Sequence, residues 1–367
     1  MQKLSAEVLG DIQGIVFSAY RHLNFARYLF LRVEEAGQAR QWLQKIVPQI
    51  ATAAPWPKAR GAEMGGQGGL VKPDRALHIA VTFEGLKALG APDEVLLSFI
   101  PAFISGITTR AQVLGDTGPS APEGWELGGP HTPEIHLLLM VNAIDEGHVE
   151  SLSGTLKDEI DAADSGLAIV SVQAGSRPES HVNPFGFVDG ISQPDIEGDD
   201  RSDGRSPGVV RTGEFVFGFL NEYGVYPPSP TVPSTLDPLK ELPAFPGPGL
   251  EGTRDLGRNG SYLVYRKLGT EVTAFWRFVE QHAGGDSLGP PEERDRRVVT
   301  LASKFFGRWP SGAALVLAPG TDDRGVADNN NFGYADTDPD GFICPIGAHV
   351  RRVNPRDSLA MNSPAES

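Results

Sequence analysis

The chain has 367 residues, and its 47 acidic side chains outnumber 32 basic ones to give a formal charge of −15. A hydrophobic fraction of 40% and a charged fraction of 22% exclude a globally disordered chain. The acidic balance argues against a general nucleic-acid or anionic-membrane partner, because phosphate groups would be repelled.

The cysteine content and the N-terminal sequence narrow the class further. A single cysteine, Cys344, cannot by itself form an internal disulfide, a thiolate zinc site or an iron–sulfur cluster. Residues 1–14 lack the apolar core of a secretory signal, and no apolar run approaches the ~20 residues of a membrane helix. These features predict a cytoplasmic protein.

Strand and helix patterns alternate along the chain. Short apolar and β-branched runs predict strands at 28–33, 77–83, 135–142, 167–173, 214–219 and 262–266. Helical periodicity predicts helices at 36–50, 84–98, 100–114, 146–164, 270–283 and 293–308. The Asp-, Asn- and Gly-rich stretch 318–340 predicts a surface loop. Because several strand runs are one-sided, the interleaving favours an α+β fold.

Two segments of the chain resemble each other in sequence. Residues 28–46 align without a gap on 262–280, and each segment reads as a strand that runs into an amphipathic helix. This internal similarity predicts a duplicated strand–helix unit, with two similar halves meeting near 175–215. The alternative is that any strand–helix junction with an aromatic anchor has this pattern.

The stretch NPFGFVDGISQPDIEG at 183–198 contains a candidate catalytic carboxylate. Gly186 and Gly190 flank a short apolar run that ends in Asp189. Glycine permits positive φ and a close approach of the backbone to a bulky ligand. Burial in such a turn would desolvate the carboxylate of Asp189 and favour proton transfer. A plain Asp-Gly turn without catalytic function is the alternative.

The stretch CPIGAHVRRVNPRD at 344–357 contains a candidate metal ligand. His349 follows small and apolar residues, and three arginines lie within seven positions of it: Arg351, Arg352 and Arg356. A neutral imidazole can ligate a porphyrin iron, and guanidinium groups can pair with its propionates. A basic surface turn with an incidental histidine is the alternative, and a thiolate ligand at Cys344 is a weaker one.

Taken in this order, GFVDGISQP (186–194) and CPIGAHVRRVNPRD (344–357) resemble the dye-decolourising peroxidases, specifically their larger bacterial and fungal branch. The similarity extends along most of the chain, through LGDIQG (9–14), ARYLFLRV (26–33), LGDTGPSAPEGWE (114–126), GEFVFGFLNEYG (213–224), DLGRNGSYLVYRKL (255–268) and KFFGRWPSGAALVLAP (304–319).

The resemblance implies a fold and a cofactor. It implies two ferredoxin-like α+β halves, at 1–180 and 181–367, that hold one haem b (iron), with the second half incomplete at its end. It makes His349 the proximal iron ligand, Asp189 the distal acid–base residue and Arg356 a propionate contact. It places five further residues at the porphyrin edge: Gly186, Val188, Gly190, Ile191 and Gln193.

The implied function is a haem-dependent peroxidase. It would oxidise aromatic compounds and dyes with hydrogen peroxide through an oxyferryl porphyrin-radical intermediate, and bulky substrates would be oxidised through a tyrosine or tryptophan relay. The candidates for that relay are Tyr262, Trp276, Trp309 and Tyr334. A non-catalytic haem-binding or haem-handling protein and a silent α+β scaffold are the alternatives. No nucleic-acid or membrane partner is expected, and a homodimer is possible.

The sequence departs from the family pattern in one respect. The family has a distal arginine about twenty residues after the proximal histidine, whereas the given sequence ends at Ser367, and Arg351, Arg352 and Arg356 lie too close to His349. We therefore expect this sequence to be the amino-terminal portion of a longer protein, with truncation, cleavage or a second chain as the alternative explanations for the absent arginine.

Overall fold

A computed structural model describes residues 3–57, 70–191, 193–198, 209–284 and 290–359. The chain divides into two compact units. The first unit comprises Met1–Arg177, Ile196–Asp200 and Val210–Arg266. The second unit comprises Pro178–Asp195, Arg201–Val209 and Lys267–Ser367. The chain first passes from the first unit to the second between residues 177 and 178, three residues before the division expected between 180 and 181. It later returns to the first unit, and no local sequence pattern indicates this return.

Eight strands and ten α-helices lie within the described ranges. The strands are β1 Phe25–Val33, β2 Arg75–Val81, β3 Leu137–Ala143, β4 Leu167–Ser176, β5 Asp195–Ile196, β6 Val209–Val210, β7 Thr231–Pro233 and β8 Thr253–Asp255. The helices are α1 Ala6–Gly10, α2 Ala36–Ile46, α3 Phe83–Ala88, α4 Asp93–Leu96, α5 Pro101–Thr109, α6 Ala111–Leu114, α7 Glu146–Asp161, α8 Val272–His282, α9 Pro291–Phe306 and α10 His349–Val353.

The first unit is built on a four-stranded antiparallel sheet. Its strand order is β2-β3-β1-β4, and β1, α2, β2, β3, α7 and β4 follow one another as the main elements of the chain. That βαββαβ succession, with β3 placed between β1 and β2, is the ferredoxin-like arrangement. The α+β class and the first four predicted strands are therefore confirmed.

The main core lies between this sheet and two helices. Leu29 and Leu31 of β1 point to the helix-covered face, while Phe30 points to the other, as the two-residue period of a strand requires. Trp42 of α2 and Leu156 of α7 pack on the first face and are almost fully buried. The register is fixed because a slip of one residue would place these leucines on the opposite face.

Two predicted helices are interrupted. The run 84–98 forms α3 and α4, separated by Gly90, which has a φ of 89°, and by Pro92 at the start of α4. The run 100–114 forms α5 and α6, with non-helical backbone at Gly106. Glycine and proline thus end helices whose apolar spacing alone would continue them.

The two later strand predictions are wrong. Residues 214–219 follow a 3₁₀ turn at Thr212–Glu214 and close into a loop in which Gly213 N donates to Leu220 O at 3.1 Å. Residues 262–266 have no assigned secondary structure, and within the described ranges they join no strand ladder. A strand requires hydrogen-bonding neighbours that a local apolar run cannot specify. The duplicated unit therefore retains only its helix, α8.

The second unit is organised around α8, α9 and long irregular segments. Val279 of α8 and Ala302 of α9 are fully buried beside Phe187. The stretch 318–340, predicted as a surface loop, places Tyr334, Asn330 and Asp338 in the interior with no more than 4% of each exposed. Polar composition indicated exposure here, but the side chains of Asn330 and Asp338 have hydrogen-bond partners elsewhere in the unit.

Among the helices that the structure describes, none has both the length and the apolar character to cross a membrane. The cytoplasmic location stays a prediction.

Candidate active site

The segment 183–190, hereafter the glycine turn, is held by the side chain of Asn183. Its Oδ1 accepts hydrogen bonds from the N–H groups of Phe185 and Phe187, at 3.0 and 3.1 Å. The backbone O of Asn183 also accepts from Gly186 N at 2.9 Å. An asparagine before proline is a recognised turn initiator, so this residue carried a sequence signal that the motif analysis did not use.

Both glycines of the turn have the conformation that the sequence predicted. Gly186 has a φ of 91° and Gly190 a φ of 72°, which side chains other than glycine rarely adopt. A Cβ atom built on either residue would meet nothing within 4 Å. The backbone at both positions therefore faces open space that a large planar ligand could approach.

Asp189 lies at the end of the turn with its side chain exposed. Its N–H donates to His181 O at 2.8 Å, and its Oδ1 accepts from Gly190 N at 2.6 Å. Within the described residues, Oδ2 has no donor. The expectation that packing of the turn desolvates this carboxylate is wrong, because only Phe187 of the turn enters the core.

The other residues predicted to line a porphyrin lie in the glycine turn or within three residues after it. Val188 is half-buried, pairs with Val182 in an isolated bridge and donates its N–H to Pro310 O at 3.0 Å. Ile191 is half-buried, and its Cδ1 lies 2.4 Å from the position that a Cβ on Gly312 would take. Gln193 is exposed.

A tight hairpin at 307–315 connects the two sequence motifs. Arg308 and Ala314 form its antiparallel bridge, directly after α9. On one side, Pro310 accepts a hydrogen bond from Val188 of the glycine turn, and Gly312 is approached by Ile191, the residue that follows the turn. On the other side, a Cβ on Gly307 would lie 2.2 Å from Val350 Cγ1, so this close approach requires glycine. No local sequence pattern indicated this role for the hairpin.

His349 is the first residue of α10, and its side chain is exposed. No residue of the described part of the chain forms a hydrogen bond with its imidazole. Its neighbours are fixed, since Ala348 is 1% and Val350 is 9% exposed. The backbone is thus anchored on both sides of a ring whose nitrogens remain available to a ligand.

The three arginines after His349 have different environments. Arg351 is buried in an ion pair with Asp338, and Arg352 is exposed. Arg356 is half-buried with a φ of 52°, and its Nη1 donates to Asn330 O and Phe332 O at 2.9 and 3.0 Å. The expected cluster of guanidinium groups around one imidazole is therefore not formed.

Arg308, which the sequence analysis did not single out, shares an acceptor with Arg356. Nη2 of each arginine donates to Asn330 Oδ1, at 2.9 Å from Arg308 and 2.7 Å from Arg356. Burial, together with the neighbouring charge of Arg356, lowers the pKa of Arg308 to about 10. Burial also lowers the pKa of Arg356, and its Nε is buried without a partner among the described residues.

Comparisons with known proteins agree with these features. A family model described as "DyP dimeric alpha+beta barrel domain" matches residues 11–178. A dye-decolourising peroxidase of Mycena epipterygia is 30% identical over 314 residues, which cover 79% of this chain and 51% of the relative. One from Auricularia auricula-judae is also 30% identical, with coverage of 95% and 60%. The chain is therefore similar to dye-decolourising peroxidases over most of its length.

The fold of this chain also matches solved structures. A dye-decolourising peroxidase in complex with 2,6-dimethoxyphenol has a TM-score of 0.71 and 25% identity, covering 96% of this chain and 71% of that chain. The given sequence spans about half to three fifths of the length of the two curated relatives named above.

The candidate relay residues of this dye-decolourising peroxidase homologue differ in packing. Trp309 and Tyr334 are buried, and Trp309 Nε1 donates to Ala318 O at 2.7 Å. Burial raises the pKa of Tyr334 to about 12. Trp276 is half-buried, and its ring is nearly parallel to that of Phe187, with centroids 6.5 Å apart. Tyr262 packs in the first unit against Phe103.

Proposed function

We propose that this protein is a haem-dependent peroxidase that oxidises aromatic compounds and dyes with hydrogen peroxide. The observation that carries the proposal is the anchoring of two exposed chemical groups on one scaffold. The carboxylate of Asp189 and the imidazole of His349 belong to segments that both pack against the hairpin 307–315. The named relatives are dye-decolourising peroxidases, which supports the same activity.

The residues present fit a haem b group. An imidazole without a protein partner is the axial donor that porphyrin iron accepts, and His349 offers one. Gly186 and Gly190 leave open space where side chains would obstruct a macrocycle. Arg356 has a buried Nε–H without an acceptor among the described residues, and it would pair with a propionate. Val188, Ile191 and Gln193 would lie along the porphyrin edge.

The residues of the chain itself would have separate roles in the reaction. A bound haem would supply the oxidising chemistry. His349 would hold the iron through a ring nitrogen, and the buried neighbours of His349 would keep that nitrogen in place. Asp189 would accept a proton from one oxygen of hydrogen peroxide and donate it to the other. The bond from Gly190 N fixes Oδ1 and leaves Oδ2 for this transfer.

Reducing substrates and assembly are part of the same proposal. Phenols and dyes would donate single electrons, and half-buried Trp276 is the best-placed relay of the four candidates because its ring stacks on Phe187 of the glycine turn. The matched family description names a dimeric domain, which supports a homodimer.

Spectroscopy and turnover test the proposal in two stages. The purified protein is titrated with hemin, and we expect saturable binding with a Soret band that shows histidine ligation. Addition of hydrogen peroxide and an anthraquinone dye should then bleach the dye. Haem binding without dye turnover would instead support a haem-binding protein, and absence of haem binding would contradict the proposal.

A further inference from the structure

A buried ion pair includes a residue that is close in sequence to His349, the proposed iron ligand. Asp338 and Arg351 are each only 4% exposed, and Arg351 Nη1 lies 3.2 Å from Asp338 Oδ2. Arg351 is two residues after His349 on α10, whereas Asp338 belongs to the preceding loop. The sequence did not indicate Asp338 as a site residue, and it suggested Arg351 only as one of three arginines that could pair with haem propionates.

The carboxylate of Asp338 fixes the start of the segment that leads to His349. Its Oδ1 accepts from Ile343 N at 2.9 Å, and its Oδ2 accepts from Cys344 N at 2.7 Å. Lys304 of α9 supports the same stretch, since its Nζ donates to the backbone oxygens of Phe342 and Ile343. The backbone at the beginning of the CPIGAH sequence is thereby hydrogen-bonded to the buried carboxylate of Asp338.

The guanidinium of Arg351 fixes the other end of that segment. Besides the carboxylate, Nη1 donates to the backbone oxygens of Asp338 and Cys344, both at 2.9 Å, and Nη2 donates to Pro339 O at 3.1 Å. Its planar group also lies 4.3 Å from the ring centroid of Tyr334. A fork of donors that binds several acceptors at once is a property of arginine that lysine does not share.

His349 needs such support because α10 provides little by itself. The helix has five residues, and its N-cap, Ala348, makes no side-chain hydrogen bond. An isolated helical turn of this length is unstable. The imidazole is exposed and has no partner in the described part of the chain, so its direction is determined by the backbone on which it stands.

We propose that the Asp338–Arg351 ion pair is a positioning pair, which closes residues 338–351 into a rigid loop and aims His349 at the haem iron before haem binds. This inference rests on the proposed function in so far as His349 is the iron ligand. Buried ion pairs contribute little net stability compared with apolar packing, and their clearest use is to select one conformation. Here the selected conformation is that of α10.

Cys344 makes the proposal testable without haem. It is the chain's single cysteine, it is 1% exposed, and its backbone N–H binds Asp338. Its rate of modification by a thiol reagent in the haem-free protein therefore reports opening of the loop. We expect D338N and R351Q to accelerate labelling about 10²-fold, because removal of one partner leaves the other charge buried and unpaired.

Matched controls separate the pair from general loss of charge. D340N removes an exposed carboxylate two residues from Asp338, and R296Q removes an exposed guanidinium of α9. Both should label like the wild type. R351K keeps the charge but loses the donor fork, so it should label at an intermediate rate. Amide hydrogen exchange of residues 345–353 should rise in parallel with labelling.

The second readout distinguishes positioning from stability alone. At a temperature where urea unfolding shows D338N and R351Q to be fully folded, both should bind hemin more weakly and lose the histidine-ligated Soret signature, with partial rescue in R351K. Wild-type labelling in both variants would overturn the proposal, as would faster labelling with an unchanged Soret band and affinity. If wild-type protein binds no hemin, the peroxidase proposal fails, whereas labelling and exchange still decide whether the pair closes the loop.

Discussion

The ring of Phe187 stacks on the ring of Phe306, with centroids 4.0 Å apart and planes 23° from parallel. Phe187 lies in the glycine turn, and Phe306 is the last residue of α9. The residue after Phe306 is Gly307, against which Val350 of α10 packs. One aromatic contact thus links the segment of Asp189 to the helix end that supports the segment of His349.

Removal of this contact should destabilise the second unit. Phe187 is 2% exposed, so F187A should reduce the free energy of unfolding by about 3–5 kcal/mol. Urea denaturation followed by tryptophan fluorescence measures the change. F342A truncates a phenylalanine that is 84% exposed and serves as the control, with an expected loss below about 0.5 kcal/mol. Equal losses in the two variants would contradict the role of the stack.

Replacement of His349 by alanine should abolish histidine ligation of haem, because the proximal nitrogen is lost. Hemin titration followed at the Soret band measures this. H131Q, which changes an exposed histidine of the first unit, should bind hemin like the wild type. A wild-type Soret position and stoichiometry in H349A would show that another residue ligates the iron.

Replacement of Asp189 by asparagine should leave hemin affinity unchanged but slow the reaction with hydrogen peroxide by about 10²–10⁴-fold, since an amide cannot accept the proton. Stopped-flow mixing of the haem-loaded protein with peroxide gives the rate. D340N removes an exposed carboxylate from the same unit and should react at the wild-type rate. If D189N reacts as fast as D340N, Asp189 is not the acid–base residue.

Stability of the first unit should depend on pH through His78. This histidine is fully buried on β2, both ring nitrogens lack a partner among the described residues, and burial lowers its pKa from 6.5 to about 4. The unfolded chain therefore binds the proton at higher pH than the folded chain. Full stability is present above pH 6.5, and about 3 kcal/mol should be lost as the pH falls from 6.5 to 4.

The variant H78L tests this dependence. Leucine has no proton to bind and no polar atom to satisfy, so the free energy of unfolding should vary less between pH 4 and 6.5 than in the wild type. Urea denaturation across that pH range provides the measurement, with H131Q as the exposed control. A slope in H78L equal to that of the wild type would show that other groups produce the pH dependence.

Replacement of Asn330 should weaken the support of both buried arginines. Asn330 is 2% exposed, and its Oδ1 accepts from Arg308 and Arg356. Hydrogen bonds to charged groups contribute about 1.5–3 kcal/mol each, so N330A should lower the free energy of unfolding by about 3 kcal/mol. N331A, an exposed neighbour, is the control. A loss in N330A no larger than in N331A would assign the shared oxygen no energetic role.

Local sequence determined a large part of this protein. The short apolar and β-branched runs of β1–β4 and the helical period of α2, α7, α8 and α9 specified those elements, because each pattern acts through its own backbone geometry. Gly186 and Gly190 were predicted to have positive φ from residue type alone, and the structure agrees. The two motifs also indicated the family, which the comparisons confirm.

Tertiary structure decided the rest, because the deciding partners are distant in sequence. Residues 214–219 and 262–266 have strand composition, but they form no ladder with any described neighbour. Asp189 is exposed although its turn is apolar, since only Phe187 reaches the core. Asn330 accepts hydrogen bonds from Arg308 and Arg356, which are 48 positions apart in the sequence. Asp338 accepts a hydrogen bond from Arg351, which lies 13 positions later. Such contacts depend on where the folded chain brings groups together, and no local pattern encodes that.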